Sequence, residues 1–438
     1  MGKYFGTDGI RGKYGTELTA KLAFKVGNAL GNTLKNVKIV IGQDTRKTGE
    51  LITLAFSCGV MSAGGVVTNI GICPTAGISY LTKKFNFDYG VVISASHNPA
   101  IYNGIKIFDS SGKKVCDDFE NLLESKFDDE TCADFDNVGS YKIDENLKNE
   151  YIKFLSKTFD FGLISKKIVL DMSNGASFFI AKKLFEEKGA TVISLGDEPN
   201  GLNINLNVGA TNIDAVKNAV LESNADYGYA YDGDSDRVIA VDSLGNVYDG
   251  DKLLYILACY FNDIGKLKPK KVVGTILSNM GLELALEKKG IMMIRTGVGD
   301  KNVSTNLEKC NLLIGGEPAG HIIVFDLLPT GDGILNSLLI SFVMEYYGKQ
   351  LSELADFEIF EQVSINVEVQ DKNKVLGDEK LKRYINNFQR GLENFGRVVV
   401  RASGTEPCIR VMVETKNKIV SENVASKLAT IIKEIDNS

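Results

Sequence analysis

Three stretches of the chain repeat one pattern of hydrophobic and polar positions. They are "VKIVIGQDTRKTGELITLAFSCGVMSAGGVVTNIG" from Val37, "KKIVLDMSNGASFFIAKKLFEEKGATVISLG" from Lys166 and "KKVVGTILSNMGLELALEKKGIMMIRTGVG" from Lys270. Each opens on a short β-branched run and passes through a polar turn. Each then carries apolar residues at 3.6-residue spacing and returns through glycine to a second apolar run. This change of period is what a strand, a crossover helix and a second strand should show. Its threefold recurrence predicts three similar α/β domains with mixed or mostly parallel sheets, whose functional loops follow the strands.

Breaks in the pattern near Lys153, Gly250 and Gln362 divide the chain into segments 1–153, 154–250, 251–362 and 363–438. The last segment begins with the alternating run "VSINVEVQ" and carries "GRVVVR" and "IRVMVE" beside helical stretches, which predicts a smaller α+β domain. The expected architecture is three similar α/β domains with mixed sheets followed by a small α+β C-terminal domain, around one central cleft.

Composition narrows the function classes. With 44% hydrophobic and 24% charged residues in 438, the chain can bury a sizeable core. A net charge of -6 argues against a nucleic-acid binder held by bulk basic charge, while leaving room for a local pocket for small anions. Seven cysteines, odd in number and without a CxxC pair, predict buried free thiols in a reducing cytoplasm. The opening "MGKYFGTDGIRG" shows neither a secretory leader nor a myristoylation pattern, and the apolar run "GILNSLLISFVMEYYG" is broken by Asn336, Ser337 and Ser341. A cytoplasmic protein with no membrane partner is expected.

"YAYDGDSDRVIAV" places Asp232, Asp234 and Asp236 between two predicted strands. Three carboxylates so close repel one another unless a cation sits among them. A calcium loop counted from Asp232 would need glycine sixth and glutamate twelfth, but Arg237 and Ser243 stand there. Mg²⁺ therefore fits better than an EF-hand ion, and an acidic surface turn is the bland alternative. "VVVRASGTEPCIRVMVE" groups Arg401, Ser403, Gly404, Thr405 and Arg410 around one strand-to-strand loop. Guanidinium groups, hydroxyls and a glycine backbone suit a phosphate cradle, although a polar turn with packed arginines would read the same way.

"VVISASHNPAIYNGIKIF" ends an apolar run at a serine, Ser96, with His97 beside it and Lys106 ten residues on. The Gly-flanked nucleophile elbow of a hydrolase is absent. A serine combined with a metal loop and a phosphate cradle suggests phosphoryl transfer, with Ser96 as covalent carrier and a further ligand of the metal.

These motifs resemble those of the α-D-phosphohexomutases in four loops along the whole chain. "SASHNP" is similar to their phosphoserine loop, "DGDSDR" to the metal loop, "GEPAGH" to the sugar loop and "RASGTEP" to the phosphate loop. "KYFGTDGIRG" and "TGDGI" are most similar to the bacterial branch that isomerises glucosamine 6-phosphate and glucosamine 1-phosphate toward UDP-N-acetylglucosamine. The resemblance implies a phosphorylated Ser96, Mg²⁺ on Asp232, Asp234 and Asp236, and Lys106 and Arg11 beside the reacting oxygen, with His97 in the catalytic group. It further implies Arg237 near the phosphoserine and Glu317, Ala319 and His321 at the sugar, a sugar bisphosphate intermediate, and a sugar phosphate as partner. A homodimer stays open. Two departures bear on sugar choice, Ala319 where serine is usual and Pro318 where glutamine is frequent. Ser235 replaces a frequent glycine. Competing readings are phosphoglucomutase or phosphomannomutase activity, a metal-dependent phosphatase, and a non-catalytic sugar-phosphate sensor.

Overall fold

The computed structural model describes residues 3–6, 8–392, 395–403 and 407–437. The chain forms two compact units, Met1–Thr275 with Ile294–Ala355, and Ile276–Met293 with Asp356–Ser438.

The first unit contains three mixed sheets flanked by helices. In the seven-stranded sheet, Lys38–Gln43 lies between Val66–Ile72 and Tyr89–Ile93 and runs parallel to both; Tyr102–Asp109 and Gly9–Lys13 then add antiparallel strands. The parallel strands are nearly continuous apolar runs because both faces are covered. Ile39, Ile41, Val91 and Ile93 are fully buried against Val26, Leu30 and Phe56 of the helices Ala20–Gly31 and Gly49–Ser62. The five-stranded sheet sets Lys167–Asp171 parallel to Thr191–Leu195 and Tyr227–Tyr231, with Val238–Asp242 returning antiparallel. In the third sheet Lys271–Thr275 is parallel to Ile314–Gly316, which Ile322–Val324 follows antiparallel. The repeated strand–helix–strand pattern thus yields mixed sheets, since each parallel core gains an antiparallel strand.

The second unit contains an antiparallel sheet, Glu361–Glu368, Cys408–Thr415 and Gly396–Ala402 in spatial order. Val367, Ile409, Val411 and Val413 pack on Leu428 and Ile432 of the helix Lys418–Asn437. Among the described residues no helix is long and apolar enough to cross a membrane. The cysteine reading is corrected in part. All seven are free, but only Cys73 and Cys408 are buried, while Cys58, Cys116, Cys132 and Cys310 are exposed. Cys58 and Cys310 sit on solvent-facing positions of the helices Gly49–Ser62 and Asp300–Cys310, where the helical period, not the residue's apolar character, sets exposure.

Candidate phosphoryl-transfer site

Three of the predicted loops follow parallel strands of the first unit. Ser96 comes just after Tyr89–Ile93, Asp232 directly after Tyr227–Tyr231, and Glu317 directly after Ile314–Gly316. In α/β sheets the carboxyl ends of parallel strands are where backbone groups leave the ladder and side chains can converge.

Ser96 is fully buried and adopts a left-handed φ of 51°, a conformation that costs a non-glycine residue energy and persists only where neighbours enforce it. Those neighbours are specific. The Ser96 amide donates to Ser94 Oγ at 2.9 Å, and Ser94 in turn donates to Asp44 at 2.6 Å. Arg46 pairs with Asp44 at 2.9 Å and gives its remaining hydrogens to the carbonyls of Ser96, Asn98, Pro99 and Tyr102 at 2.6–2.9 Å. Asn205 adds bonds to the carbonyls of Ser96 and Asn98. A Cβ on Gly233 would stand 2.6 Å from the Ser96 carbonyl oxygen, so the serine and metal loops can touch only because this position is glycine.

Ser96 Oγ donates to Asp232 Oδ2 at 2.5 Å and lies 3.4 Å from His97 Nδ1. Asp232, Asp234 and Asp236 are buried and offer oxygens within 4.8 Å of one another. Burial, then Asp236 and Asp234, pushes Asp232 well above the usual carboxylate range. Burial opposes ionisation of Asp236 too, yet Lys106 and His321 hold it well below that range. Asp234 receives Thr75 Oγ1 at 2.6 Å and Lys106 Nζ at 2.8 Å. Thr75 opens the helix Thr75–Lys84, whose positive end favours that carboxylate. Asp234 Oδ1 and Asp236 Oδ1 are buried without a hydrogen-bond partner among the described residues. Hard oxygen donors with uncommitted lone pairs fit a divalent cation, so the residues present match the metal that the family resemblance implies. Ser235 takes φ 61°, which gives a physical reason for the glycine frequent there.

Cations surround this cluster. Lys106 is 1% exposed and touches Asp8 and Asp236 at 3.2 Å as well as Asp234. Burial works against its charge, but those carboxylates outweigh it and raise its pKa well above the ordinary value. Arg11 pairs with Asp8 and reaches Asn98 at 3.3 Å. Arg237 donates its amide to Asp232 at 3.2 Å and holds Nε 3.8 Å from Asp236. Burial, then Arg237 and Arg11, pushes His97 down to about 4, so its ring is neutral at pH 7.

The sugar-loop residues fall differently. Glu317 is buried and accepts from the Gly299 amide at 2.9 Å, whereas Ala319 is exposed in a turn. His321 is 1% exposed; its Nε2 accepts from the Gly331 amide at 3.1 Å, which leaves Nδ1 to carry the proton facing Asp236 at 3.7 Å. In the second unit Arg401 and Arg410 stand directly opposite across paired strands, an arrangement of like charges that an anion relieves. Burial, then Arg410, lowers the Arg401 pKa. Ser403 is buried and its carbonyl accepts from Lys372 at 2.9 Å. Gly404 and Thr405 lie outside the described residues.

Profiles of phosphoglucomutase/phosphomannomutase match four successive segments: domain I at residues 2–134, domain II at 149–245, domain III at 249–360 and the C-terminal domain at 365–431. The chain belongs to the phosphoglucomutase/phosphomannomutase family. It is 42% identical over 445 residues to phosphoglucosamine mutase of Bacillus subtilis (strain 168), with 99% of each chain covered. Identity to phosphoglucosamine mutase of Thermoanaerobacter sp. (strain X514) is 43% over 442 residues, again covering 99% of both. Among solved structures, a phosphoglucomutase/phosphomannomutase family protein from Burkholderia thailandensis superposes with TM-score 0.82 at 21% identity, covering 98% of this chain and 97% of that one. Aspergillus fumigatus N-acetylphosphoglucosamine mutase, solved with GlcNAc-6P and magnesium, gives 0.68 at 17% identity, with 99% and 96% covered. At that identity the likeness shows the fold.

The motifs read in the sequence assign no role to Asp8, Asp44, Arg46, Thr75, Lys114, Asn205 or Asp300. Asp8 stands within "GTDGIRG", and Asp44 and Arg46 within "GQDTR" directly after a strand. Paired opposite charges at such positions are the signal that would have found them.

Proposed function

We propose that this enzyme interconverts glucosamine 6-phosphate and glucosamine 1-phosphate by way of a phosphorylated Ser96, the activity for which its full-length relatives are named. The observation that carries the reading is the bond from Ser96 Oγ to Asp232, inside a buried carboxylate cluster with uncommitted oxygens.

In the proposed cycle a free hydroxyl of the bound sugar phosphate attacks the phosphorus on Ser96. A new P–O bond to the sugar forms, the bond from phosphorus to Ser96 Oγ breaks, and the hydroxyl proton passes overall to Ser96 Oγ. The sugar bisphosphate so formed turns over and returns its other phosphate to Ser96. Lys106 stays charged under its three carboxylates, so it acts as a fixed cation and hydrogen-bond donor to the transferring group, with Arg11 beside it. His97, neutral and near Ser96 Oγ, provides an acceptor nitrogen for proton passage. A divalent metal held by Asp232, Asp234 and Asp236, with Ser96 as a further ligand, would offset the charge of the phosphate. Arg237 belongs to the phosphoserine, Glu317 and the turn at Ala319 to the sugar, and His321 supports Asp236. Arg401, Ser403, Gly404, Thr405 and Arg410 take the phosphate that stays on the sugar.

Turnover of glucosamine 6-phosphate against glucose and mannose phosphates, with protein whose Ser96 phosphorylation is verified by mass, tests this reading. Preference for glucosamine phosphate supports it, and preference for glucose or mannose phosphate would move the chain to the other branch. Release of inorganic phosphate without isomerisation would instead mark a phosphatase.

A further inference from the structure

Asp236, Lys106, Asp8, Lys114 and Asp300 of the first unit alternate in sign around the metal loop, and the His321 imidazole closes them into a ring. Asp236 touches Lys106 at 3.2 Å, Lys106 touches Asp8 at 3.2 Å, and Asp8 pairs with Lys114. Lys114 pairs with Asp300, Asp300 lies 3.9 Å from His321 Nε2, and His321 Nδ1 lies 3.7 Å from Asp236. Lys114 is the one member that bridges Asp8, near the chain's start, and Asp300, which opens the helix Asp300–Cys310. It is well covered, with its side chain 11% exposed, as is that of Asp300.

Both ends of this bridge lead to residues with a proposed role. Asp8 Oδ1 faces Lys114, and its other oxygen, Oδ2, contacts both Lys106 and Arg11. Asp300 follows Gly299, whose amide donates to Glu317. Without the Lys114 ammonium, the Asp8 and Asp300 carboxylates would face the same covered space uncompensated. Asp8 would then turn away from Asp300 and carry Lys106 and Arg11 with it.

We propose that Lys114 is a positioning residue for phosphoryl transfer: it holds Asp8 and Asp300 together, so that Lys106 stays on Asp234 and Asp236, Arg11 stays on Asn98 of the serine loop, and Glu317 stays at its post. This rests on the mutase reading above. Fixed cations accelerate transfer only when they need no reorganisation, so a loosened ring should lower the rate of the chemical step more than it weakens binding.

The test measures two rates on the full-length enzyme: steady-state turnover of glucosamine 6-phosphate, and transfer of phosphate from glucose 1,6-bisphosphate to dephosphorylated Ser96, followed by intact mass. Lys114→Met should lower both kcat and the transfer rate at least about tenfold, with KM changed less than about threefold. Lys114→Arg should recover most of the loss, because a cavity of about 570 Å³ lined by Lys114, Asp300 and Thr330 leaves room for the larger cation. Asp300→Asn, which keeps the shape and removes one charge, should fall between them. The proposal is overturned if Lys114→Met keeps more than half the wild-type transfer rate. It is equally overturned if the losses simply follow the folded fraction in thermal unfolding and Lys114→Arg rescues nothing. Should Lys114→Met fail to fold, an unaltered transfer rate in Asp300→Asn would overturn it and a slowed one at wild-type stability would support it. Absence of glucosamine phosphate turnover in the wild-type enzyme would remove the mutase reading, while the Ser96 transfer rate would still decide the role of Lys114.

Discussion

Ser96 and Asp232 are 136 positions apart in the chain, yet Oγ of the one lies 2.5 Å from Oδ2 of the other, with both side chains fully buried. In the proposed cycle this hydroxyl is the acceptor and donor of the phosphoryl group. Ser96→Ala should therefore abolish mutase turnover, since it removes the hydroxyl that carries the phosphate between half-reactions. The fold should persist, with a stability loss of about 1–3 kcal/mol for the buried Asp232 oxygen that loses its donor. Persistence of wild-type exchange in this variant would exclude the covalent route.

The uncommitted oxygens of Asp234 and Asp236 lead to a second expectation. Asp234→Asn should weaken Mg²⁺ binding measured by calorimetry at least about tenfold, because a neutral amide is a poorer ligand. Turnover should fall with it and recover in part at high Mg²⁺. Exhaustive chelation should stop the wild-type enzyme; full activity after chelation would remove the metal from the reaction.

Arg46 should be essential to the serine loop although it touches no substrate group. It is 2% exposed and satisfies four backbone carbonyls in addition to Asp44. Arg46→Lys cannot reproduce the planar fork and leaves several buried acceptors unpaired, each worth about 1–3 kcal/mol. Urea unfolding should show a loss of about 3 kcal/mol or more. A variant as stable as the wild type would mean that the loop holds its shape without the clamp.

Asp332, whose neighbour Gly333 donates its amide to the Ser235 carbonyl of the metal loop at 2.8 Å, gives stability a pH signature. It caps the helix Gly333–Tyr347 through the Leu335 amide, accepts from Tyr151 at 2.7 Å, and burial raises its pKa to about 6. The unfolded carboxyl ionises near 3.8, so the folded state holds the extra proton between the two values. The associated stability is complete below the unfolded value and is lost as pH rises through about 6. Asp332→Asn keeps the cap and has no proton to lose. The difference in melting temperature, variant minus wild type, should grow from pH 4 to pH 6 and then level off, corresponding to about 3 kcal/mol for a shift of this size. A difference that is flat across this range would show that Asp332 ionises normally in the folded protein.

The opposed pair Arg401 and Arg410 predicts a separation of binding from stability. Arg410→Ala should raise KM for sugar phosphates by about one to two decades, the worth of a charge-assisted contact of about 1.5–3 kcal/mol. Melting should change little, since removing one of two like charges offsets lost packing. A large drop in melting temperature with KM unchanged would mark Arg410 as structural.

Much of this was legible along the chain where a motif is local. The change of period that predicts strand, helix and strand shows which residues form Lys38–Gln43, Lys167–Asp171 and Lys271–Thr275, because a one-sided or two-sided burial pattern is written in neighbouring residues. The spacing of Asp232, Asp234 and Asp236 on one turn declares a cation ligand set for the same reason: the repulsion that demands a cation acts within five residues. The burial of cysteines did not follow, since Cys58 and Cys310 take their exposure from the helix faces on which they fall.

Residue types and periods thus determine the elements, the loops after the parallel strands and the chemistry these loops can offer. The partners of each charge were decided only by the tertiary structure. Thr75 meets Asp234 across 159 positions, Lys106 meets the same carboxylate across 128, and Lys114 meets Asp300 across 186. A buried charge must find an opposite charge or a donor, but any of the chain's 50 Lys and Arg and 56 Asp and Glu would satisfy that requirement. Strand order and the close approach at Gly233 select among them, because desolvation makes a pairing strong only where backbone topology has already brought the two groups out of water together.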